Sequence, residues 1–321
     1  MKLKIIKNQI RKYEPLVALL LALLFQSIFK SQEGYPQSRC PYYQYFLGIL
    51  IIGHAGLLIT SFFSQKVNEK LIYKGPFFCG VICFINLYNL ITLKLGLLPT
   101  LYFPSMDRIL GVLVEDRALL LKCLTYSGRL LAFGYFGGVI VGFITGILIG
   151  FNKTVSYWLS PIIRVLGPIP STAWIPIVLI VFPSAVSASS FLIALAVWFP
   201  TTVMTSSGIS NIQNTYFEAG STLGAGTLYK IIKIGIPAAM PHVFLGVFNG
   251  TCSSFITLMT AEMIGAKYGI GWYVNWQKDM LSFANVYAGL IVIAITFTIL
   301  VTILFRVRDH LLVWQKGVIK W

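Results

Sequence analysis

"EAGSTLGAGTLYKIIKIGIP", Glu218 to Pro237, breaks into a strongly apolar part of a chain that has only ten acidic residues. It opens on a glutamate, carries two lysines and closes on a proline. Thr215-x-x-Glu218 just ahead of it fits a capping box, in which each side chain satisfies an amide that the first helical turn leaves free. Gly224 and Gly226 then supply the positive φ that ends a helix. Thr227 is placed to cap a second helix through Lys230 and Lys233, which Pro237 would stop. The stretch therefore predicts helix, tight turn, helix. Ala219, Gly220 and Ser221 leave one side of the first helix small, which suits insertion into a groove on another protein as well as it suits a plain amphipathic connector lying on a membrane.

The surroundings decide where such a hairpin sits. The 321 residues are 57% hydrophobic and 11% charged, with mean hydropathy +0.80. Soluble domains carry about 25% charged residues, so this composition is that of an integral membrane protein. The net charge of +15 does not point to nucleic acid, because the basic residues are scattered along the chain and border apolar runs, as membrane topology requires. A basic start (Lys2, Lys4, Lys7, Arg11, Lys12) and the apolar run behind it resemble a signal peptide. No small-x-small cleavage site follows, which predicts an uncleaved first helix.

Since a bilayer core takes about 20 apolar residues per helix, eight spans are expected, at 14–30, 43–63, 76–98, 124–150, 160–182, 187–208, 239–260 and 284–305. With eight alternating spans, the basic N-terminus, Lys66, Lys70 and Lys74, Lys230 and Lys233, and Arg306, Arg308, Lys316 and Lys320 all fall on one side. That side reads as cytoplasmic, and it takes both termini and the opening stretch with it. The other side has mixed charges and the interfacial aromatics of "GWYVNW", Gly271–Trp276.

Within the spans, Gly134, Gly138, Gly142, Gly146 and Gly150 recur every four residues, a ridge for close helix packing within the subunit, for dimer contact or for sliding. Pro161, Pro168, Pro170, Pro176, Pro183 and Pro200 punctuate spans five and six, which marks kinked helices that line cavities or move. On span seven Asn249, Ser253, Thr257 and Thr260 fall within about 80° of a helical wheel, a polar stripe suited to a passing solute or to gluing helices. Glu262, near the end of the same span, is a candidate for an outer gate or a helix-end residue in water. Arg129 and Arg164 lie near span ends. The five cysteines read as small apolar residues, and the three histidines are too dispersed for a metal site.

The spacing of the opening stretch resembles the cytoplasmic signature of type I ABC importer permeases: E-A-A, three residues, G, nine residues, I-x-L-P. Here Glu218-Ala219-Gly220 is followed by three residues, Gly224, nine residues and Ile234-Gly235-Ile236-Pro237, with Gly220 in place of the second alanine and Ile236 in place of the leucine. The blocks "LLPTLYFPSMDRIL", "GGVIVGFITGILIG", "PIIRVLGPIPSTAWIPIVLIVF" and "AEMIGAKYGIGWYV" look like the nitrate/sulfonate/taurine/bicarbonate group of that family, over about 76–310. One departure is Phe182-Pro183-Ser184, where the group has a phenylalanine-glycine turn.

The resemblance implies an all-α transmembrane bundle, with residues 76–321 as the permease domain, a coupling loop at 211–237, and 1–75 as an extension of two further spans. It implies a multi-pass inner-membrane protein working as a permease pair with C2 symmetry by default. Two cytoplasmic ATP-binding subunits would hold ATP and Mg, and an extracytoplasmic binding protein would select a small solute, an anion such as nitrate, a sulfonate or bicarbonate. Glu218, Ala219, Gly220, Gly224, Ile234 and Pro237 would form the coupling loop. The chain has no G-x-x-x-x-G-K-[ST] loop of its own, so it is expected to bind no cofactor and not to be an enzyme by itself. The alternatives are the same machinery carrying a thiamine- or riboflavin-type precursor, an ion-gradient-driven transporter, which would need acidic or histidine residues deep in its spans, and a membrane-embedded enzyme, which would need clustered reactive side chains at one membrane face.

Overall fold

The computed structural model describes residues 9–29 and 40–314. Lys2, Lys4, Lys7, Lys316, Lys320 and the stretch 30–39 lie outside them. All regular structure among the described residues is helical: α1 Glu14–Ile28, α2 Tyr42–Phe63, α3 Gln65–Asn89, α4 Met106–Glu115, α5 Arg117–Phe151, α6 Lys153–Leu166, α7 Ile175–Val181, α8 Ala185–Ser210, α9 Asn214–Thr222, α10 Thr227–Lys230, α11 Ile236–Gly265, α12 Ile270–Asp279 and α13 Phe283–Leu311.

Each of the eight expected segments contains helix, but they are not eight equal spans. Among the described residues six helices are long and apolar enough to cross a bilayer, α6 and α7 form a seventh only as a pair bent by 85°, and Glu14–Ile28 is shorter, at 15 residues. The bend has a sequence cause. Gly167, Pro168 and Pro170 lie between α6 and α7, and proline both lacks the helical donor and biases its predecessor away from the helical region. Other helices overrun the expected ends. The link carrying Lys66, Lys70 and Lys74 is helical, because α3 starts at Gln65, straight after the extended Ser64 (φ −133°, ψ 111°), and continues through Pro76. α5 starts at Arg117, so Arg129 is well inside this helix. Hydropathy marks where a helix leaves the membrane, not where its hydrogen bonding stops.

The chain packs as two units, Met1–Ala118 with Gln277–Ala288, and Leu119–Trp276 with Gly289–Trp321. In the first, Leu19, Ala22, Tyr43 and Leu47 form the core, joined by Ile82 and Ile85 of α3 and by Met106 and Leu110 of α4. Tyr43 is fixed twice: its hydroxyl donates to Asn86 Oδ1 at 2.7 Å and its amide to Asp107 Oδ1 at 2.9 Å. Burial pushes the Asp107 carboxyl above the usual carboxylate range, and the Tyr43 amide draws it back down. Lys12 is buried, with its ammonium donating to Asn68 Oδ1 at 3.1 Å and lying over the Phe62 and Tyr13 rings.

In the second unit α5, α8 and α11 pack side by side. Gly134, Gly138, Gly142, Gly146 and Gly150 all face α8. A Cβ on Gly138 would stand 2.5 Å from the Ala194 carbonyl oxygen, and one on Gly146 would stand 2.5 Å from Thr205 Cβ. Apolar burial does not drive helix pairing inside lipid, so close backbone approach and van der Waals packing do. Gly246 and Gly250 repeat the device on α11, against Pro200, Thr201 and Val197 of α8. Hydroxyls bridge the helices: Thr145 Oγ1 meets Thr202 Oγ1 at 2.8 Å and accepts from Trp198 Nε1 at 3.1 Å, and the Tyr135 hydroxyl meets Thr251 Oγ1 at 2.9 Å. Such contacts are worth roughly 0.6 kcal/mol each in a membrane.

Candidate functional site

The opening stretch folds as a helical hairpin. α9 ends in a complete Schellman motif: the Gly224 amide donates to the Ser221 carbonyl at 3.0 Å and the Ala225 amide to the Gly220 carbonyl at 2.9 Å. Gly224 takes φ +81°, the left-handed conformation that a glycine adopts without a steric cost. Gly226 does not, contrary to expectation. It has φ −68° and is itself the N-cap of α10, with Thr227 already inside the helix. One left-handed residue is enough to turn the chain, so the second glycine is free to extend.

The expected capping box is not formed. α9 starts at Asn214, its N-cap is Gln213, and there is no side-chain cap. Thr215 and Glu218 are both helical and exposed. Pro237 does not stop the second helix either. A π-helical turn, Ile231–Gly235, joins α10 to α11, so the helix runs unbroken from Thr227 to Gly265. The wider turn moves the hydrogen-bond register by one residue, which accommodates a proline that has no donor.

Gly220 is buried: a Cβ there would lie 2.9 Å from Ile234 Cδ1, so the third position of the E-A-A triplet is where the hairpin closes on itself. Lys230 Nζ donates to Ser221 Oγ at 2.9 Å across the same gap. Glu218 and Ala219 point outward. The large exposed residues of the hairpin are apolar: Leu223 at the tip is 87% exposed, and Tyr216, Leu228 and Tyr229 are exposed beside it. Large apolar side chains exposed on so short a hairpin suit a protein contact. Sequence reading missed these four residues by attending to the small face. A leucine beside the turn glycine was the available signal. The hairpin is tied to the membrane helices through Phe151 at the end of α5, whose ring packs edge-on to Phe217 at 6.0 Å and also against Gly235.

Further along the same long helix, Ser253 and Thr257 line a cavity of about 510 Å³. Thr257 Oγ1 is 2.6 Å from Ser171 Oγ in the broken segment. The walls are aromatic, from Trp174, Phe191, Trp198 and Phe199, and Gly167 and Pro170 bring the break itself to the lining. Asn249 and Thr260 are not in the lining, and Thr260 Oγ1 donates back to the Ile256 carbonyl. The polar stripe of the wheel thus splits, with its middle two members at the cavity.

Glu262 is 0% exposed, not in water at a helix end. Its Oε2 accepts from the Gly271 amide at 2.8 Å, and Gly269, at φ +138°, comes so near that a Cβ would lie 2.6 Å from the carboxylate oxygens. Ser127 Oγ accepts from the Ile270 amide at 2.9 Å alongside. The glutamate thereby pins the turn between α11 and α12. Glu262→Ala leaves the Gly271 amide buried without an acceptor, at a cost of about 1–3 kcal/mol. Thermal unfolding of the purified chain should fall by several degrees in Glu262→Ala and much less in Glu262→Gln, which retains an acceptor. Equal loss in both would remove this role.

Residues 138–312 match the family described as binding-protein-dependent transport system inner membrane component, and the chain belongs to that family. It is 29% identical over 231 residues to the taurine transport system permease protein of Escherichia coli (strain K12), covering 70% of this chain and 84% of the relative. It is 30% identical over 165 residues to the nitrate import permease protein of Leptolyngbya laminosa, covering 50% of this chain and 59% of the relative. The bicarbonate transport system permease protein of Synechococcus elongatus is 28% identical over 196 residues, covering 59% and 68%. An inward-facing methionine ABC transporter shares the fold, with TM-score 0.53 and 16% identity over 61% of this chain and 98% of that one. The protein is an integral membrane permease subunit of an ABC importer, a class that works with ATP-binding and solute-binding partners.

Proposed function

We propose that the protein forms one half of a translocation path and that the hairpin at Asn214–Lys230 is the point at which a separate ATP-binding subunit moves it. The observation that carries this reading is the continuity of the Thr227–Gly265 helix. Its first residues belong to the exposed hairpin, and about 40–45 Å further along, at 1.5 Å per residue, Ser253 and Thr257 line the cavity. A pull on the hairpin therefore reaches the cavity wall through one helix, with the π-helical turn and Phe151 as its fulcrum.

In this reading Leu223, Tyr216, Leu228 and Tyr229 supply the contact area and Glu218 meets a basic residue or a backbone amide of the partner. ATP and Mg sit in that partner, so hydrolysis is not this chain's own chemistry. Two copies of the permease pair around the path, the hairpin and both termini face the cytoplasm, and a binding protein delivers solute on the opposite side. The relatives' solutes support a small anion as cargo. A photocrosslinking residue at Leu223 in the full complex should join this chain to the ATP-binding subunit in high yield. Crosslinks to lipid alone, with the complex intact, would remove the coupling role.

A further inference from the structure

A second cavity of the same unit, of about 550 Å³, lies where α5 ends and α6 begins, walled by Phe151 of α5, by α6 and by Ser210 of α8. We infer that it binds an anionic phosphate group carried by a phospholipid headgroup of the adjoining leaflet. Neither the solute path nor coupling through the hairpin is needed for this. Three observations carry it. The first is charge. Lys153 and Arg164 both line the cavity, and no carboxylate does. Basic residues at the edge of a membrane span are ordinary marks of topology. These two differ in sharing one cavity, and neither belongs to the ion pairs found among the described residues, Lys278–Asp279 and Arg308–Asp309. The amides at the start of α6 do not supply the pull, because Asn152 Oδ1 already accepts from those of Thr154 and Val155 at 2.9 and 3.2 Å.

The second observation is the set of donors between the two cations. Lys153, Ser156, Tyr157, Ser160 and Arg164 all line the cavity, and at 3.6 residues per turn they fall within about 100° of one helix face. Ser156 Oγ and Ser160 Oγ lie 3.2 Å apart. That contact uses one hydroxyl proton and leaves the other for a ligand. A guanidinium fork, an ammonium and hydroxyl donors together are the groups that hold phosphate oxygens. The third observation points to the carrier. On the opposite side of α6, Trp158, Ile162 and Val165 are exposed within about 60° of one another. A helix with a basic, hydroxyl-rich stripe and an exposed apolar one belongs at a membrane surface. Tyr157 and Trp158, whose rings meet edge-on at 5.3 Å, are of the kind that settles at headgroup level, and basic pockets between membrane helices take anionic headgroups. Lys153 and Arg164 stand about 16 Å apart along the helix. A compact ion meets one of them, whereas a headgroup with its glycerol and ester oxygens extends from one towards the other past the hydroxyls.

The test uses the full chain in phosphatidylcholine nanodiscs doped with a photoreactive phosphatidylglycerol or, separately, with a phosphatidylcholine bearing the same photoreactive group near its esters. Adducts are read by mass on the peptides covering 149–164 and, for comparison, on those of α13. The phosphatidylglycerol probe should give at least fivefold more adduct at 149–164 than the phosphatidylcholine probe, whose choline offsets the phosphate charge. Lys153→Gln with Arg164→Gln should remove that excess and leave the α13 adducts unchanged. Both side chains are exposed, so the double variant keeps the packing of the parent, which an unchanged elution volume checks. Millimolar inorganic phosphate at constant ionic strength, which fixes the screening, should not displace the lipid. Displacement by phosphate in the parent would overturn the lipid as carrier and assign the pocket to a soluble phosphate. Equal adducts from the two probes, or an excess that survives in the double variant, would overturn the site.

Discussion

Gly138→Val is expected to abolish recovery of folded protein, with the monodisperse yield from membranes falling more than tenfold. The new Cβ would stand 2.5 Å from the Ala194 carbonyl oxygen and 2.8 Å from Val197 Cβ, closer than packed atoms approach. Neither neighbour is the loose end of a long side chain. Relief needs α5 and α8 to separate along their length, because Gly134, Gly142 and Gly146 hold the same spacing on either side. Overpacking typically costs 1–3 kcal/mol. Here the cost is higher, because the pairing has little apolar driving force to offset it. Gly137→Val is the control: a Cβ there meets nothing within 4 Å, and its yield should match the parent's. If the two variants behave alike, the ridge is not what joins these helices.

Gly224→Val should give a protein that inserts and assembles but transports at least tenfold less. No atom lies within 4 Å of the added Cβ, so the effect is conformational and local. A left-handed residue bearing a Cβ costs roughly 1–2 kcal/mol, and a β-branched one costs more. The Schellman turn opens, and Leu223 leaves the position that the hairpin gives it. Gly226→Ala should be close to neutral, because Gly226 has φ −68° and open space around it. Glu218→Lys should also lose transport. The absence of a capping box sharpens that test, since Glu218 is exposed on the hairpin with no cap to maintain, and a loss there reports on a partner.

The sequence made the membrane class, the helical hairpin and the broken segment legible for physical reasons. Long apolar runs, the glycine ridge and the prolines around Gly167 act locally, and each left its mark in order along the chain. Gly224 was legible because a helix stop needs a left-handed residue. What stayed hidden depended on partners distant in sequence. The polar stripe on α11 could not be divided until the broken segment arrived beside Thr257 and left Asn249 and Thr260 without the cavity. Glu262 read as an outer gate or a water-facing helix end, and not as a buried acceptor, because Gly269 and Gly271, which enclose it, follow a turn whose path is set by tertiary packing. The expected caps at Thr215 and Thr227 failed for a different reason. Several residues in a row could start each helix, and packing against Phe151 and Ile234 favours the register seen.

The central claim is that an external ATPase drives this permease through its hairpin. ATP-driven solute uptake tests it most directly, in proteoliposomes holding the permease with its ATP-binding subunit and binding protein, the parent and Gly224→Val side by side. The account predicts uptake by the parent only when ATP and both partners are present, and at least a tenfold loss in the variant at unchanged subunit stoichiometry. Parental uptake by the variant, or accumulation by the permease alone under an ion gradient, would contradict it.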